Sequence, residues 1–469
     1  MYRLDHFTAY RLGLIVMLTL TLFACSGGGG CSGCESCGIA PIPGGYPIEE
    51  RIDNSAQMRL TSHGVTFLEN NVDALANILF PEGLDFTIDE QQQTFIITIT
   101  ICRGGGCIAH LEIDSIDLSP TDPNLLRAHV RLIIESRRRD GTRGPWPGTC
   151  DLDIDTRRGS RRYVGLIADI RVRAVDASRP ARGGYSEIVV ERIELLDGEG
   201  IENDDIRISG GFLGSCGALN LDLLKGFIIG QVAGQLSGLA DGAVGDNLCT
   251  RQGEHGCPTG TFPVPNDADP DTICRYAPRA DAECVSLLLG MDGRGDLGGQ
   301  LIGGFSPGTH AYAQFLLAAG GDAVANDGMS LFFYGGFMGT DRTFTETPAH
   351  NSCVPVVPVP PRPTIPRAAA FLTSNTIPGM STNADLGIGL SEAYLDYAGY
   401  GLFDLGALCI GAGTRLSQQL STGLLSAAIM SVPELTYPAA AAPITIALRP
   451  QLPPDFSIGA GGDADPILQ

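Results

Sequence analysis

The chain has 469 residues, 43% of them hydrophobic, with 62 glycines, 30 prolines and 14 cysteines. The apolar share is enough for a sizeable core, and the length suggests two or three domains. Lys+Arg 31 against Asp+Glu 53 gives a net charge of −22, which argues against general binding to the phosphates of nucleic acid.

In chain order, Arg3 and Arg11 precede an unbroken apolar run from Leu12 to Ala24. Spanning a bilayer takes roughly twenty such residues, so the run is too short for that and has the size of a secretory signal core. It ends in Leu22-Phe23-Ala24-Cys25, which resembles a bacterial lipobox with a bulky residue at Phe23. Cys25 is therefore expected to be cut free as the new N-terminus and acylated. Ser26 follows where an aspartate is absent, which resembles the outer-membrane default of lipid-anchored envelope proteins. Cys31, Cys34 and Cys37 are spaced C-x2-C-x2-C. With no fourth ligand nearby and an exported, oxidising setting, this glycine-rich stretch reads as a tether with disulfides rather than a metal site.

After the tether, "AQMRLTSHGVTFLENNVDALANILFPEG" starts strand-like. It then predicts a helix N-capped by Ser62, with Val65, Leu68, Val72, Leu75 and Leu79 on one face and Pro81 at its end. Seven mostly alternating runs follow, at 94–101, 107–119, 125–136, 150–156, 162–175, 186–196 and 205–209. Gly-, Asp- and Pro-rich turns between them predict an antiparallel meander with one apolar face. A second helix, over 219–249, carries an apolar stripe through Leu224, Ile228, Val232, Leu236 and Leu239. Gly226, Gly230, Gly234, Gly238 and Gly242 recur at every fourth position. Each glycine costs a helix about 1 kcal/mol relative to alanine, so packing must offset the row. Such a row lets a neighbouring surface or an acyl chain approach the backbone.

Residues 251–284 read as a Cys-, Pro- and Asp-rich linker. New strand-like runs begin at 285, among them "AYAQFLLAA" and "MSLFFYGGF". "CVPVVPVPPRPTIP" (353–366) predicts an extended spacer, 384–408 mixes strand and helix signals, and 443–459 alternates again. The expected organisation is a signal peptide over 1–24, a tether over 25–50, a first domain over 51–250, a linker over 251–284 and a second, partial domain over 285–469.

Strand, helix, meander and a long helix ending in Cys249 resemble the bactericidal/permeability-increasing, lipopolysaccharide-binding and cholesteryl-ester-transfer proteins, the tubular lipid-binding superfamily. "MRLTSHGVTFL" is similar to that family's first strand and helix through Arg59, Gly64 and Phe67. "LGIGLSEAYLDYAGYGLFDLGAL" is similar to the start of its second barrel. The resemblance implies an α+β fold in which an elongated, strongly curved antiparallel sheet wraps a long helix, followed by a second similar domain. It implies a slot for phospholipid or another acyl lipid beside Leu224, Ile228, Gly230, Val232, Gly234 and Leu236. It also implies a disulfide from Cys249, to Cys216 or Cys150. No protein partner is indicated.

Three constellations that could carry chemistry point elsewhere. Gly304-Phe305-Ser306-Pro307-Gly308 fits G-x-S-x-G, but Pro307 has no N–H for an oxyanion hole, so Ser306 is not expected to be a hydrolase nucleophile. Gly293 to Gly298 fits G-x-G-x-x-G without a βαβ unit and reads as a glycine-rich turn. Asp267, Asp269 and Asp271 lack the glycine and distal glutamate of a calcium loop. No catalytic residue, metal or cofactor is expected. The window 131–182 holds thirteen arginines against seven acids. Arg137, Arg138, Arg139, Arg161 and Arg162 near its turns are candidates for contact with anionic headgroups, with pairing to nearby acids as the alternative. A ligand-free adhesion or scaffold protein is the rival reading of the whole chain.

Overall fold

The computed structural model describes residues 39–71, 84–88, 91–94, 98–101, 107–121, 123–137, 149–210, 248–253, 256–266, 269–298, 310–344, 346–347, 350–367, 375–376, 383–413 and 442–458. The elements in chain order are β1 (Ile52–Leu60), α1 (Ser62–Asn70), β2 (Leu84–Ile88), β3 (Gln91–Thr94), β4 (Thr98–Ile101), β5 (Cys107–Thr121), β6 (Leu125–Arg137), β7 (Thr149–Ile154), β8 (Val164–Ala174), β9 (Ser186–Leu195) and β10 (Ile206–Gly210). They continue with β11 (Phe262–Asn266), β12 (Asp269–Arg275), β13 (Gly290–Asp296), β14 (Tyr312–Ala319), β15 (Val324–Ala325), β16 (Met329–Gly339), β17 (Leu386–Leu390), α2 (Glu392–Asp404), β18 (Ile410–Gly413) and β19 (Thr445–Leu448).

Two sheets organise the described residues. Four of the seven expected runs, as β5, β6, β8 and β9, form one with β2, in the order β2-β5-β6-β8-β9, antiparallel throughout; the runs 94–101, 150–156 and 205–209, expected in the same meander, supply β4, β7 and β10 to a different sheet. The long strands of this five-stranded meander carry the predicted alternation, and irregular register at Ile113/Ser115 and Asp169/Ile170 bends them, as bulges do. The other is a central sheet, β13-β14-β16-β1-β17, with β15 beside β16. A smaller sheet, β10-β7-β4-β3, contains a parallel pair, β4 with β7.

The central sheet crosses the expected division at 250/285. β1 belongs to the first expected domain, yet its two neighbours, β16 and β17, both lie in the second. β1 and β17 are antiparallel, and each leads into a helix. Their ends are tied reciprocally: the Thr61 N–H donates to the Asp385 carbonyl (3.1 Å) and the Ser391 N–H to the Ser55 carbonyl (2.9 Å). The two strand–helix units are thus joined about a local two-fold axis. Thr61, rather than the expected Ser62, is the N-cap of α1, and its hydroxyl accepts the Gly64 N–H at 3.0 Å. Gly64 has no room for a side chain, because a Cβ there would stand 2.0 Å from the Asp385 carbonyl oxygen.

Other expectations change as well. Residues 39–50, taken as the end of a free tether, are packed. Ile42 and Tyr46 (2% exposed) join Tyr185, Leu288, Leu316 and Ala318 in one core cluster. Arg51 fixes this segment. It donates to the Tyr46 and Gly183 carbonyls while its guanidinium lies 4.0 Å over the Tyr185 ring, a cation–π contact. The supposed linker 251–284 contains the β11–β12 hairpin and two disulfides, Cys257–Cys274 and Cys249–Cys284. Cys249 therefore bonds Cys284, not Cys216 or Cys150 as the resemblance implied. Gly293 lies on β13, not in a turn. Flanked by Ile39 and Phe315, it leaves no space for a Cβ. The Pro-rich run 353–366 has no helix or strand, as expected. It is held by Arg362 on Glu50 (2.5 Å), by Asn54 on the Ile365 carbonyl (2.8 Å) and by the Cys353–Cys409 disulfide. The rest of the first expected helix, 72–83, and the long helix over 219–249, save its last residues, lie outside the described residues.

Within β1, Arg59 is 1% exposed, and its guanidinium donates to the Ser330 hydroxyl (3.0 Å) and the Asn326 carbonyl (2.7 Å). Burial pulls its pKa down, and the nearby Asp327 opposes that. Removing it leaves buried acceptors without donors, at about 1–3 kcal/mol for each orphaned group. Arg59→Met is expected to lower the unfolding free energy by about 2–4 kcal/mol, and Arg59→Lys by less. Chemical denaturation checks this, and an unchanged midpoint for Arg59→Met would contradict it.

Candidate functional site

The meander is two-faced because strand side chains alternate. Cross-strand register places Leu111, Ile134 and Ile113, Leu132, Val164 in rows on one face. Ile116, Val130, Leu166, Leu195 and Leu118, Ala128, Ala168, Ile193 form further rows. Leu126, Ile170 and Val190 extend it, then Val172 and Ile188. This face is apolar from β5 to β9. Ile134 and Val164 are fully buried, whereas Ile113, Ile116, Leu118, Val130, Ile170, Val190 and Ile193 are only half-buried. Helix α1 lies along the β5 edge, where the Glu69 carboxylate accepts the Leu118 N–H at 2.7 Å.

The opposite face is charged and paired. Arg127 forks onto Asp169 with two bonds of 2.7 and 3.1 Å, and Arg192 approaches the same carboxylate at 2.9 Å. Arg131 pairs with Asp117 (3.1 Å), Arg157 with Glu112 (2.5 Å) and Glu135 (3.2 Å), Arg171 with Glu191 (2.5 Å), and Arg173 with Glu187 (2.9 Å). Apart from the buried Asp169 cluster, these largely exposed pairs contribute little energy each. Their effect is to fix which face turns outward.

The apolar face does not end with the meander. At its β6–β8–β9 end, Leu126, Val172 and Ile188 pack against Leu60, Met329, Leu331 and Phe333 of the central sheet. From there the register carries the same face across β1 to β17. Met329, Leu60 and Leu386 form one row, Leu331, Met58 and Ile388 a second, and Phe333, Ala56 and Leu390 a third. Exposure rises along the way: Met329 is buried, Met58 and Leu331 are half-buried, and Ile388 and Leu390 are 48% and 44% exposed. The result is one apolar track from the meander interior to the edge of the central sheet.

The expected site residues fare unevenly. Arg161 is engaged by Glu202 at 2.9 Å, so its charge is spent locally rather than free for a headgroup. The same holds for Arg157, Arg158 and Arg179, which pair with acids. The local excess of arginine is offset by Glu112, Asp117, Glu187, Glu191, Glu202 and Glu283, all outside 131–182. Arg162 is exposed with a positive φ of 68°. Arg137 ends β6. Its side chain, all of Arg138, Arg139, Cys25 and Ser306, and the stripe Leu224, Ile228, Gly230, Val232, Gly234 and Leu236 lie outside the described residues. Among the described residues no group of three or more His, Cys, Asp or Glu could hold a metal, and no helix is long and apolar enough to cross a membrane. A cleft of about 210 Å³ beside Asp53, Asn54, Tyr334 and Arg367 is polar and small, unlike a typical ligand pocket of roughly 300–1,000 Å³.

No protein-family model matches the chain, and no curated protein matches it. Among solved structures, the crystal structure of a lipopolysaccharide binding protein aligns with a TM-score of 0.30 and 12% identity, covering 84% of this chain and 69% of that one. The functional reading rests on this chain's own residues.

Asp169, 7% exposed, is held below the usual carboxylate range, first by the hydrogen bond from Arg127 and then by the charges of Arg127 and Arg192, against the opposing effect of burial. A depressed folded pKa means stability that is present above the unfolded value, about 3.9, and lost as pH falls through the folded one. Wild type is therefore expected to exceed Asp169→Asn in stability at neutral pH, with the gap closing below about pH 4. Thermal melts across pH check this. A gap independent of pH would contradict it.

Proposed function

We propose that this protein binds acyl lipid along the apolar track and is held at the cell envelope by a lipid on Cys25. The observation that carries the reading is the half-buried apolar face of β5, β6, β8 and β9. A sheet face that served only as core would be closed over, and here a run of Ile, Leu and Val is left partly open. A contiguous apolar face left partly open in this way is what a binding site for an apolar ligand requires. Each methylene moved from water onto such a face gains about 0.8 kcal/mol, so a long acyl chain supplies the affinity without any specific polar contact. Headgroups would remain at the solvent side. The reading is one of lipid binding without turnover. The N-terminal signal, the placed Cys25 and the cysteine content support export, which in turn favours disulfides over free thiols.

The full chain, purified in mild detergent, is expected to carry phospholipid or another acyl lipid detectable by organic extraction and native mass spectrometry. Ile116→Gln with Val130→Gln, on the inner face, should lower occupancy several-fold. Glu191→Gln, on the outer face, should leave it unchanged. Circular dichroism shows whether each variant is folded. Cys25→Ala should lose metabolic labelling by an alkyne fatty acid and leave the membrane fraction while keeping the lipid in the track. A folded wild type that carries no lipid and takes none from vesicles would replace this reading with that of a ligand-free scaffold.

A further inference from the structure

We infer that β17 is a self-pairing edge through which two copies of this chain join their central sheets. The first observation is the direction of its backbone. The Asp385 carbonyl and the Ser391 N–H both point at β1. N–H and C=O directions alternate residue by residue along a strand, so Gly387 and Gly389 also face β1. Leu386, Ile388 and Leu390 therefore point their backbone groups the other way, and among the described residues these have no partner. β17 is the last strand of its sheet.

The second observation is what guards this edge. Exposed edges are normally blunted by charge, proline or a covering element. Leu386-Gly387-Ile388-Gly389-Leu390 has no charge and no proline, and Ile388 and Leu390 are nearly half exposed.

The third observation selects the occupant. The strand reads the same in both directions about Ile388. An antiparallel pair with a second copy, centred on Ile388, sets Leu386 against Leu390 of that copy and Ile388 against itself. All three positions are those whose backbone groups face outward, so each exchanges both hydrogen bonds with its counterpart. Just beyond the strand, the same register sets Asp385 against Ser391 and Glu392 against Ala384, so no like charges meet. The contact is isologous, as a two-fold dimer requires. Five residues a side bury far less than the roughly 1,200 Å² of a stable complex, so the dimer is weak and forms at micromolar or higher concentration. With a net charge of −22 on each copy, added salt should strengthen it by screening repulsion.

Sedimentation velocity of the full chain over about 1 to 100 µM, with hydrogen exchange at the same concentrations, tests this. Expected are a concentration-dependent dimer, at least tenfold weaker in folded Ile388→Lys, and slowed exchange of the Leu386, Ile388 and Leu390 amides as concentration rises. Salt should shift the equilibrium towards dimer. A wild type that stays monomeric would overturn the inference. So would a dimer indifferent to Ile388→Lys, or amides that slow with phospholipid vesicles but not with concentration. Because Ile388 also ends the apolar track, the runs are repeated on delipidated protein: the dimer is expected with and without lipid, and a dimer seen only with lipid would overturn the inference.

Discussion

The position of β1 between β16 and β17 is the constraint on which the rest of the described structure depends. A strand in mid-sheet must satisfy its N–H and C=O groups on both sides, because buried unpaired backbone is costly. β1 can do so only by drawing together segments some 270 and 330 residues further along the chain. Arg59 adds a charged, buried anchor between β1 and the segment that leads into β16. Reciprocal bonds at Thr61 and Ser391 set the β17 register and deliver α1 and α2 from opposite ends of the same strand pair. Once β1 is fixed, α1 is placed along the edge of the meander, and the apolar rows of the two sheets become one surface.

That surface explains why the meander is so strictly two-faced. A one-residue slip would turn every inner side chain outward. The ion pairs on the outer face oppose such a slip by geometry more than by energy. Asp169 sits on β8 beside a bulge, where Arg127 of β6 and Arg192 of β9 converge on it. A bulge of this kind raises the local twist of the strands, here between Asp169 and Ile170. Binding and architecture therefore draw on the same alternation, and a ligand that needs only apolar contact can use it without a dedicated polar pocket.

Much of this was legible in the sequence, and the reasons are local. The meander strands show a period of two, and their expected limits agree with the observed ones to within a few residues, as for β5, β6 and β9. The shift of the cap from Ser62 to Thr61 is of the usual size for a helix end. What was not legible depended on distant residues. Nothing near Met58 signals that it faces Ile388, and nothing near Cys249 distinguishes Cys284 from Cys216. The charge balance of 131–182 alone does not show that many of the neutralising acids stand elsewhere, on β5, on β9 and at Glu202 and Glu283. The segment 251–284 lacked periodicity because its hairpin is held by disulfides rather than by an alternating apolar face. A lone arginine in the otherwise mostly apolar or small stretch of β1 was the available clue to the central sheet, since a buried arginine needs fixed partners.

The central claim is that the inner face of the meander and the β16–β1–β17 face form one surface that acyl chains occupy. The most direct measurement is photo-labelling of the full chain by a phospholipid with a diazirine in its acyl chain, with the adducts located by peptide mass spectrometry. The account predicts adducts on inner-face residues of β5, β6, β8 and β9, such as Ile116, Val130 and Ile193, and on Met58 or Leu331 of the central sheet. Adducts confined to the outer, ion-paired face, or none above background, would contradict it.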